Sequence, residues 1–324
     1  MKLIEPGPEV AAYGLRAMTM VARAAEGGLG HDQRALLAAA QKVILHTEMD
    51  VDGLTPISPE ELVSHVVDPE IRRQLTQGMV VMSIVDGPAS PSQAELIASF
   101  AKALDVDEPA VKVVRDLAEH ELLMFRLDFY RRSHMVDAIK SQYRRQGGIM
   151  AVARGLLGLK GLVEDKELAL RFHALGELPE NTLGYCFYRH YVDHGFPFPG
   201  EKGGFPMAAV YHDFAHVLSG NPPDPEGEIL VGAFQAGFRR TENAFFIVLF
   251  VVLTFSSGIN MTPFKKVPVR GRLGQGDMAE RMLGELKRGA AMNTDLGNDW
   301  DFWPYVHRGL EEVRAELGVL PRGN

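Results

Sequence analysis

The feature that most limits the possible folds of this chain is a run of twelve residues, Ala244 to Phe255, in which only Thr254 is polar. A helix that crosses a membrane needs about 20 apolar residues. This run is shorter, and it lies between charged residues that end at Glu242 and a polar segment that begins at Ser256. A helix that is apolar on every side is buried in the centre of a protein. We therefore predict a central core helix here.

The N-terminal part of the chain has a different helical pattern. Its apolar residues recur at intervals of three and four, which is typical of helices with one buried face. No alternating pattern of useful strand length is present in the chain. The sequence therefore predicts an all-α fold. The N-terminal segments with the helical pattern are residues 36–45, 59–67, 71–85, 94–104 and 110–130.

Two of these helices should begin in the same way. Ser58-Pro59 and Ser90-Pro91 each follow an acidic turn. Serine is a preferred N-cap residue, and proline is favoured in the first helical turn. The segment DGPASPSQAELIASFAKAL, from Asp86 to Leu104, resembles the tellurite-resistance TerB-like helical domain, and the resemblance extends over about residues 15–120.

The acidic turns allow two interpretations. Negative side chains stabilise helix N-termini through the helix dipole, which is the interpretation that we prefer. The resemblance to TerB-like domains allows a metal site instead. The residues concerned are Asp50, Asp52 and Asp86.

We expect two helical domains, over residues 1–130 and 161–324, with a basic linker over residues 131–160. Arginine and lysine are frequent from Arg126 to Lys160, in a protein that is otherwise acidic. A basic amphipathic helix can lie on anionic lipid headgroups. The alternative, which we prefer, is a solvated face that pairs with acidic residues of a neighbouring domain.

Composition excludes some classes of protein. The formal charge of −8 and the pI near 5.8 argue against a nucleic-acid-binding protein. The single cysteine, Cys186, cannot form a disulfide within the chain and is expected to be a small buried side chain in a reducing compartment. The N-terminus has no apolar segment typical of a secretion signal. We expect a cytoplasmic protein, either free or peripheral on the inner face of a membrane.

The segment His212-Asp213-Phe214-Ala215-His216 indicates a metal site. Histidines four residues apart lie on one side of a helix, one turn from each other. The Gly- and Pro-rich residues 220–225 cannot continue that helix, so Glu228 in the next helix can fold back towards the histidines. His212, His216 and Glu228, with Asp213 as a fourth ligand or as an orienting partner, suit zinc first, or cobalt, manganese or iron(II). Two unrelated helix histidines and a surface glutamate would give the same pattern.

The motif HDxxH, followed by eleven residues and Glu, resembles the signature of the coenzyme Q biosynthesis protein 4 family. The resemblance covers about residues 150–320, although the Gly- and Pro-rich stretch Lys202 to Pro206 departs from it and leaves the shape of the pocket mouth open. The resemblance implies a C-terminal helical bundle with a metal site, an apolar central helix and an isoprenoid quinone precursor as ligand. The other similar segments are LPENTLG (178–184), YCFYRHYVDH (185–194), Arg288-Gly289, DWDFW (299–303) and LEEVRAELG (310–318).

Three functions are compatible with the sequence. The first is a metal-dependent enzyme that removes the ring carboxylate of a polyprenylated aromatic intermediate in quinone biosynthesis, by simple or oxidative decarboxylation. Its catalytic residues would be the candidate metal ligands. The second is a non-catalytic scaffold that holds an isoprenoid lipid for other quinone-biosynthesis enzymes. The third, which we favour least, is a metal-dependent hydrolase, since HDxxH is similar to the HExxH motif of zinc proteases.

Further residues are candidates for contact with a substrate. Tyr188 and Arg189 could bind its carboxylate, because the guanidinium fork of arginine matches carboxylate geometry. Phe246 and Phe250 of the apolar run could line a tunnel for an isoprenoid tail. His190 and His194 are also four residues apart, but the aromatic residues around them favour core packing or a pocket lining over a second metal site. The oligomeric state stays open, with a homodimer as one alternative.

Overall fold

The structure is a computed structural model that describes residues 2–118, 164–261 and 269–322. Within these ranges the protein contains thirteen α-helices and no β-strand, which confirms the predicted all-α fold. The predicted basic linker and the end of the predicted helix 110–130 lie outside the described residues. The helices are α1 (Pro8–Arg23), α2 (His31–Ala40), α3 (Pro59–His65), α4 (Pro69–Ile84), α5 (Pro91–Ala103), α6 (Pro109–Ala118), α7 (Lys166–His173), α8 (Leu183–His194), α9 (Val210–Ser219), α10 (Pro225–Phe238), α11 (Phe245–Phe255), α12 (Met278–Ala291) and α13 (Leu310–Leu317).

The predicted caps of α3 and α5 are confirmed. Ser58 Oγ accepts a hydrogen bond from the backbone N–H of Glu61 at 3.1 Å. At the start of α5, Ser90 Oγ accepts from the N–H of Gln93 at 3.2 Å, and the Gln93 side chain accepts from the N–H of Ser90 at 3.0 Å. This reciprocal pair is a capping box, which satisfies two backbone donors that the helix itself leaves unpaired.

Helix α11 is the predicted central helix. Every residue of this helix except Phe250 is buried, and the helix contacts α4 and α10. None of the described helices is both long and apolar enough to cross a membrane. The prediction of a core helix over the apolar run is therefore confirmed.

The larger apolar core is shared by the N-terminal and C-terminal parts of the chain. It includes Leu37 and Met79 from the N-terminal helices together with Phe246 and Leu286 from the C-terminal helices. Helix α12 packs on α2, and α11 packs on α4. The N-terminal helices thus pack directly on the C-terminal ones. The predicted domain boundaries stay a prediction.

The second core consists of C-terminal residues alone, among them Phe187, Phe214 and Phe302. Helix α10 lies between the two cores. Its residues Ile229 and Ala233 belong to the larger core, and its Phe234 belongs to the second. The face of α10 that carries Glu228 therefore lies between two packed faces of the same helix.

We predict that Ser90→Ala lowers the free energy of unfolding by about 1 kcal/mol, the usual cost of losing a serine N-cap. Urea unfolding followed by circular dichroism measures it. Ser92→Ala is the matched control, because Ser92 is an exposed residue of the same helical turn. Its unfolding free energy should stay within about 0.5 kcal/mol of the wild-type value. Equal losses in both variants would contradict the assigned cap.

Candidate metal centre

Helix α9 packs in the second core with the side that is opposite to its histidines. Phe214 is fully buried and stacks on Phe187, with ring centroids 4.2 Å apart. Successive helical residues are rotated by about 100°, so His212 and His216 lie away from Phe214 on the other side of α9. The His212 side chain is 26% exposed and that of His216 is 1% exposed. The histidine pair therefore reaches from the core to the surface.

The turn after α9 returns the chain towards these histidines. Gly220 ends α9 with a φ of 77°, a conformation that glycine adopts without steric cost. Asp224 caps α10, and its Oδ1 accepts a hydrogen bond from the N–H of Gly227 at 2.8 Å. A Cβ atom on Gly227 would lie 1.7 Å from the carbonyl oxygen of Pro222, so the turn requires glycine there. The predicted turn is confirmed, and it places Glu228 in the first turn of α10.

His212, His216 and Glu228 converge on one point. Their potential ligand atoms all lie within 4.8 Å of one another. The two histidine Nε2 atoms are 3.2 Å apart. Each of them is 3.6 Å from a different oxygen of the Glu228 carboxylate. The structure therefore brings together three of the four residues predicted as metal ligands.

These spacings match the size of a bound metal ion. Zn²⁺ binds imidazole nitrogen and carboxylate oxygen at about 2.0–2.2 Å, usually in tetrahedral geometry. Two ligands of a tetrahedral ion at those distances are separated by about 3.3–3.6 Å. The observed separations of 3.2 and 3.6 Å agree with this value. The donor set, two imidazoles and one carboxylate, also suits cobalt, manganese and iron(II).

The other ring nitrogens fix the histidines in the form that binds metals. Nδ1 of His216 lies 2.9 Å from the backbone carbonyl oxygen of Asn221. Nδ1 of His212 lies 3.2 Å from Oε1 of Gln235, on α10. A carbonyl oxygen only accepts hydrogen bonds, so each Nδ1 donates a proton and each neutral ring keeps a lone pair on Nε2. Two lone pairs 3.2 Å apart repel each other, and a cation between them removes that repulsion.

The charge of the site depends on the pairing of His216 with Glu228. Burial alone lowers the pKa of His216, but hydrogen bonding and attraction to the Glu228 carboxylate outweigh burial and raise it above its ordinary value. A carboxylate that stabilises an extra proton on the imidazole also stabilises a metal cation in the same position. The electrostatics of the site therefore favour a positive charge between these residues.

Asp213, predicted as a fourth ligand or as an orienting partner, is not in the group of three. Its carboxylate is buried and accepts a hydrogen bond from the hydroxyl of Tyr191, on α8. Because Asp213 follows His212 by one residue, it lies about 100° further around the helix. Burial raises the pKa of Asp213, and burial together with Asp213 raises that of Tyr191. The partners that orient the imidazoles are Gln235 and Asn221 instead.

His190, for which the sequence favoured core packing or a pocket lining, lies beside the metal-binding group. Its ring stacks on that of His216, with centroids 5.3 Å apart and planes at 23°. Burial first, and then the nearby imidazoles of His216 and His194, lower the pKa of His190 to about 3. The Nε2 atom of His190 is buried and has no hydrogen-bond partner among the described residues. His190 lies beside the metal-binding group because α8 packs on α9.

Tyr188 and Arg189, which the sequence predicts as contacts of a substrate carboxylate, interact with other residues of the protein. Tyr188 is partly buried and stacks on Phe198, at 5.5 Å between centroids. Arg189 is exposed and pairs with Asp193 on the same helix. The aromatic side chain beside the metal-binding group is Phe205, which is 41% exposed and has its ring centroid 6.4 Å from that of His212. Phe205 belongs to the Gly- and Pro-rich stretch that departs from the family pattern.

The apolar helix lines a cavity with other residues than those predicted. Phe246 is buried in the larger core, and Phe250 packs against that core. Phe245 and Val248 are the residues of α11 that line a cavity of about 140 Å³ between the N-terminal and C-terminal helices. The remaining lining residues are mostly apolar and come from the N-terminal segment, from α1, α2, α4, α10 and α12, and from Ile44 and Leu45 after α2.

The acidic N-terminal turns act mainly in helix capping and ion pairing. The Asp86 carboxylate accepts hydrogen bonds from the backbone N–H groups of Asp32 and Gln33, at the start of α2. Asp52 pairs with Arg34 at 2.8 Å. The contacts of Asp86 agree with the preferred interpretation of an acidic charge at a helix N-terminus, whereas Asp52 forms an ion pair.

Comparison with protein-family models and with curated proteins finds no match to this chain. The resemblances to the coenzyme Q biosynthesis protein 4 family and to TerB-like domains therefore stay predictions, and the case for a metal centre depends on the geometry of the site.

We predict that Gln235→Leu weakens metal binding about 10- to 100-fold, because partners that orient a ligating imidazole typically have effects of this size. Isothermal titration of the metal-free protein with zinc measures the affinity. Gln275→Leu, at an exposed position, is the control and should bind zinc as the wild type does. Equal affinity in Gln235→Leu and the wild type would contradict the role of Gln235, provided that both unfold at the same temperature.

Proposed function

We propose that this protein is a metal-dependent protein of isoprenoid-quinone biosynthesis, which binds a polyprenylated aromatic carboxylate and promotes decarboxylation of its ring. The observation that carries the proposal is the convergence of His212, His216 and Glu228 at ligand spacing. These residues would hold the metal, with zinc as the first expectation and cobalt, manganese or iron(II) as alternatives. The substrate class comes from the resemblance of the motif and its flanking segments to the coenzyme Q biosynthesis protein 4 family.

The number of protein ligands favours catalysis over a purely structural metal. Structural zinc sites have four protein ligands, whereas catalytic sites have three and leave a position for water or substrate. The group in the described part of the chain has three, and the side chains of His212 and Glu228 are each 26% exposed. A small anionic group can therefore approach the site from the His212 side, past Phe205.

The proposed reaction breaks the bond between the ring and its carboxyl group. Carbon dioxide leaves, the bonding electrons stay on the ring carbon, and a proton replaces the carboxyl group. A bound divalent ion supplies Lewis acidity, which neutralises the substrate oxygens and stabilises the negative charge that develops on the ring. In the oxidative form of the reaction an oxygen atom replaces the carboxyl group, and an oxidant such as O₂ is then required.

The residues around the site have separate tasks in this proposal. Asn221 and Gln235 keep both imidazoles in the metal-binding tautomer. Tyr191 and Asp213 connect α8 to α9 through a buried hydrogen bond and so fix the position of the histidines. Phe205 offers an aromatic surface at the exposed side, where the ring of a substrate can stack.

The apolar cavity supports the isoprenoid part of the proposal. Only two of its lining side chains have polar ends, Gln74 and Gln77, and both ends are already hydrogen-bonded within the protein. The cavity therefore offers an incoming group van der Waals contact and little polar recognition. An engineered apolar cavity of about 150 Å³ stays dry and binds benzene, so a cavity of this size can take a short piece of hydrocarbon chain.

A non-catalytic lipid scaffold is the second candidate. The cavity favours it as much as it favours the enzyme, because a hydrocarbon chain can be held there without any reaction. The two candidates differ in the use of the metal. A scaffold keeps its lipid after loss of the metal and releases no carbon dioxide, whereas the enzyme requires the metal for release.

We predict that the purified protein carries about one divalent ion per chain, and that His216→Ala and Glu228→Ala lose it, because two remaining ligands bind an ion weakly. Elemental analysis measures the metal, and native mass spectrometry of the same samples detects a co-purified prenylated aromatic compound. The metal-loaded wild type should also release carbon dioxide from a prenylated hydroxybenzoate, and His216→Ala should not.

His173→Ala is the matched control for these variants. His173 is an exposed histidine whose Nε2 lies 2.7 Å from Glu201, and it should keep both metal and activity when mutated. Lipid in the wild type and in His216→Ala, with no metal in either protein, would contradict the enzyme and leave the scaffold. Metal without carbon dioxide release would restrict the proposal to binding.

We predict that Gly14→Leu weakens the binding of a fluorescent polyprenyl probe by about tenfold or more, because the new side chain fills part of the cavity. Gly14 lines the cavity, and a Cβ atom there would lie 3.4 Å from Leu75 Cδ1, an ordinary contact. Fluorescence titration of the full chain measures probe affinity. Metal content should be unchanged, since Gly14 lies on α1 beside Leu75 of α4 and is not part of the metal-binding group.

Gly284→Leu is the matched control for Gly14→Leu. Gly284 is also a helical glycine that does not line the cavity, and a Cβ atom added to it would meet only open space. It should bind the probe like the wild type. Probe affinity that is equal in all three proteins would exclude this cavity as the site for the chain.

A further inference from the structure

We propose that His190 is a hydrogen-bonding residue of the metal centre, whose free ring nitrogen binds the water or anionic oxygen in the open coordination position. This inference rests on the proposed metal site and assigns a role to a residue outside the group of three ligands. The group that His190 binds is an oxygen atom coordinated to the ion. This oxygen belongs to a water molecule or to the carboxylate or phenolate of a substrate.

The first argument is the cost of burying a polar atom without a partner. The Nε2 atom of His190 is buried, and no described residue forms a hydrogen bond with it. A buried polar atom without a partner loses its hydrogen bonds to water and gains none in the protein, which destabilises the fold. Such an atom in a native site calls for an explanation, and a bound water or ion is one of the recognised ones.

The second argument is position. The His190 ring stacks on the His216 ring at 5.3 Å, nearly parallel to it. Bonds from zinc to nitrogen and to oxygen are about 2 Å each, so an oxygen on the ion lies up to about 4 Å from the ligating nitrogen. The separation of 5.3 Å joins two ring centroids, so it places the His190 ring beside a proposed ligand of the ion, and contact between His190 Nε2 and an oxygen on the ion is the proposed step. His190 is not one of the three residues whose ligand atoms converge.

The third argument is the way in which the ring is held. His190 contacts the rings of His216, His194 and Phe196, with centroid distances between 5.1 and 5.9 Å. Packing on several sides restricts rotation of the imidazole, so its nitrogen has a fixed direction before any ligand arrives. A fixed donor or acceptor binds a ligand oxygen without losing side-chain entropy at that moment.

The test uses the full chain loaded with cobalt(II) and azide as the anionic probe. Azide binding to the cobalt is followed through the visible d–d bands. His190→Phe keeps a ring for stacking on His216 but removes the nitrogen, and we expect azide affinity to fall about three- to tenfold, the value of one hydrogen bond. His190→Gln keeps hydrogen-bonding capacity and should recover part of that loss, whereas a purely structural role would not give this recovery.

His307→Phe is the matched control. His307 is an exposed histidine outside the metal-binding group, and its variant should bind azide like the wild type. Cobalt affinity should change less than about threefold in every variant, because none removes a ligand of the ion.

Three results would overturn the proposal, and they differ from one another. Unchanged azide affinity in His190→Phe, with cobalt retained, would show that the nitrogen is not used. A loss of cobalt affinity of about a hundredfold would make His190 a metal ligand instead. A wild-type chain that binds no cobalt would overturn this proposal together with the proposed metal-dependent function.

Discussion

Helix α10 is the element on which the rest of this structure depends, because two of its faces pack in different cores and a third carries residues of the candidate metal site. One face, with Ile229 and Ala233, belongs to the core that joins the N-terminal and C-terminal helices. A second face, with Phe234, belongs to the aromatic core around α9. The third face carries Glu228 and Gln235, seven residues and thus two turns apart. Packing on both sides therefore fixes the position of the carboxylate and of the amide that orients His212.

The packing of α10 fixes the geometry of the candidate metal centre. A glutamate on a mobile loop would be pulled into solvent, since an exposed ion pair contributes little. Here the carboxylate is held 3.6 Å from both histidine nitrogens, and both imidazoles have hydrogen-bond partners on Nδ1. The positions of the candidate ligands thus depend on the packing of α10. A change that loosens this packing would weaken metal binding even though it alters none of the ligands.

The sequence predicted the parts of the site that depend on short-range geometry. Two histidines four residues apart and a glutamate after a Gly- and Pro-rich turn are local features, and their distances follow from helix periodicity and from one turn. The caps at Ser58 and Ser90 are local in the same way, and so is the central helix over the apolar run. All of these predictions agree with the structure.

The features that the sequence could not predict depend on packing between distant segments. His190 comes close to His216 only because α8 packs on α9, and the RHYVDH pattern around it also fits an ordinary core. The motif predicts Asp213 as a fourth ligand or as an orienting partner, but a one-residue step turns its carboxylate towards Tyr191. Phe245 and Val248 line the cavity because the position of α4 against α11 decides beside which face of α11 space is left.

The arrangement of the site and the cavity around α10 limits the kind of molecule that could use both. Ala233 lines the cavity and lies five residues after Glu228, about 140° around the helix. A helix with its side chains is about 10 Å in diameter, so a ligand that reaches both places must pass around it. An aromatic head group alone is too short for this, whereas a head group with a long flexible hydrocarbon chain can do it. The geometry therefore requires a long flexible chain in any ligand that is to occupy both places.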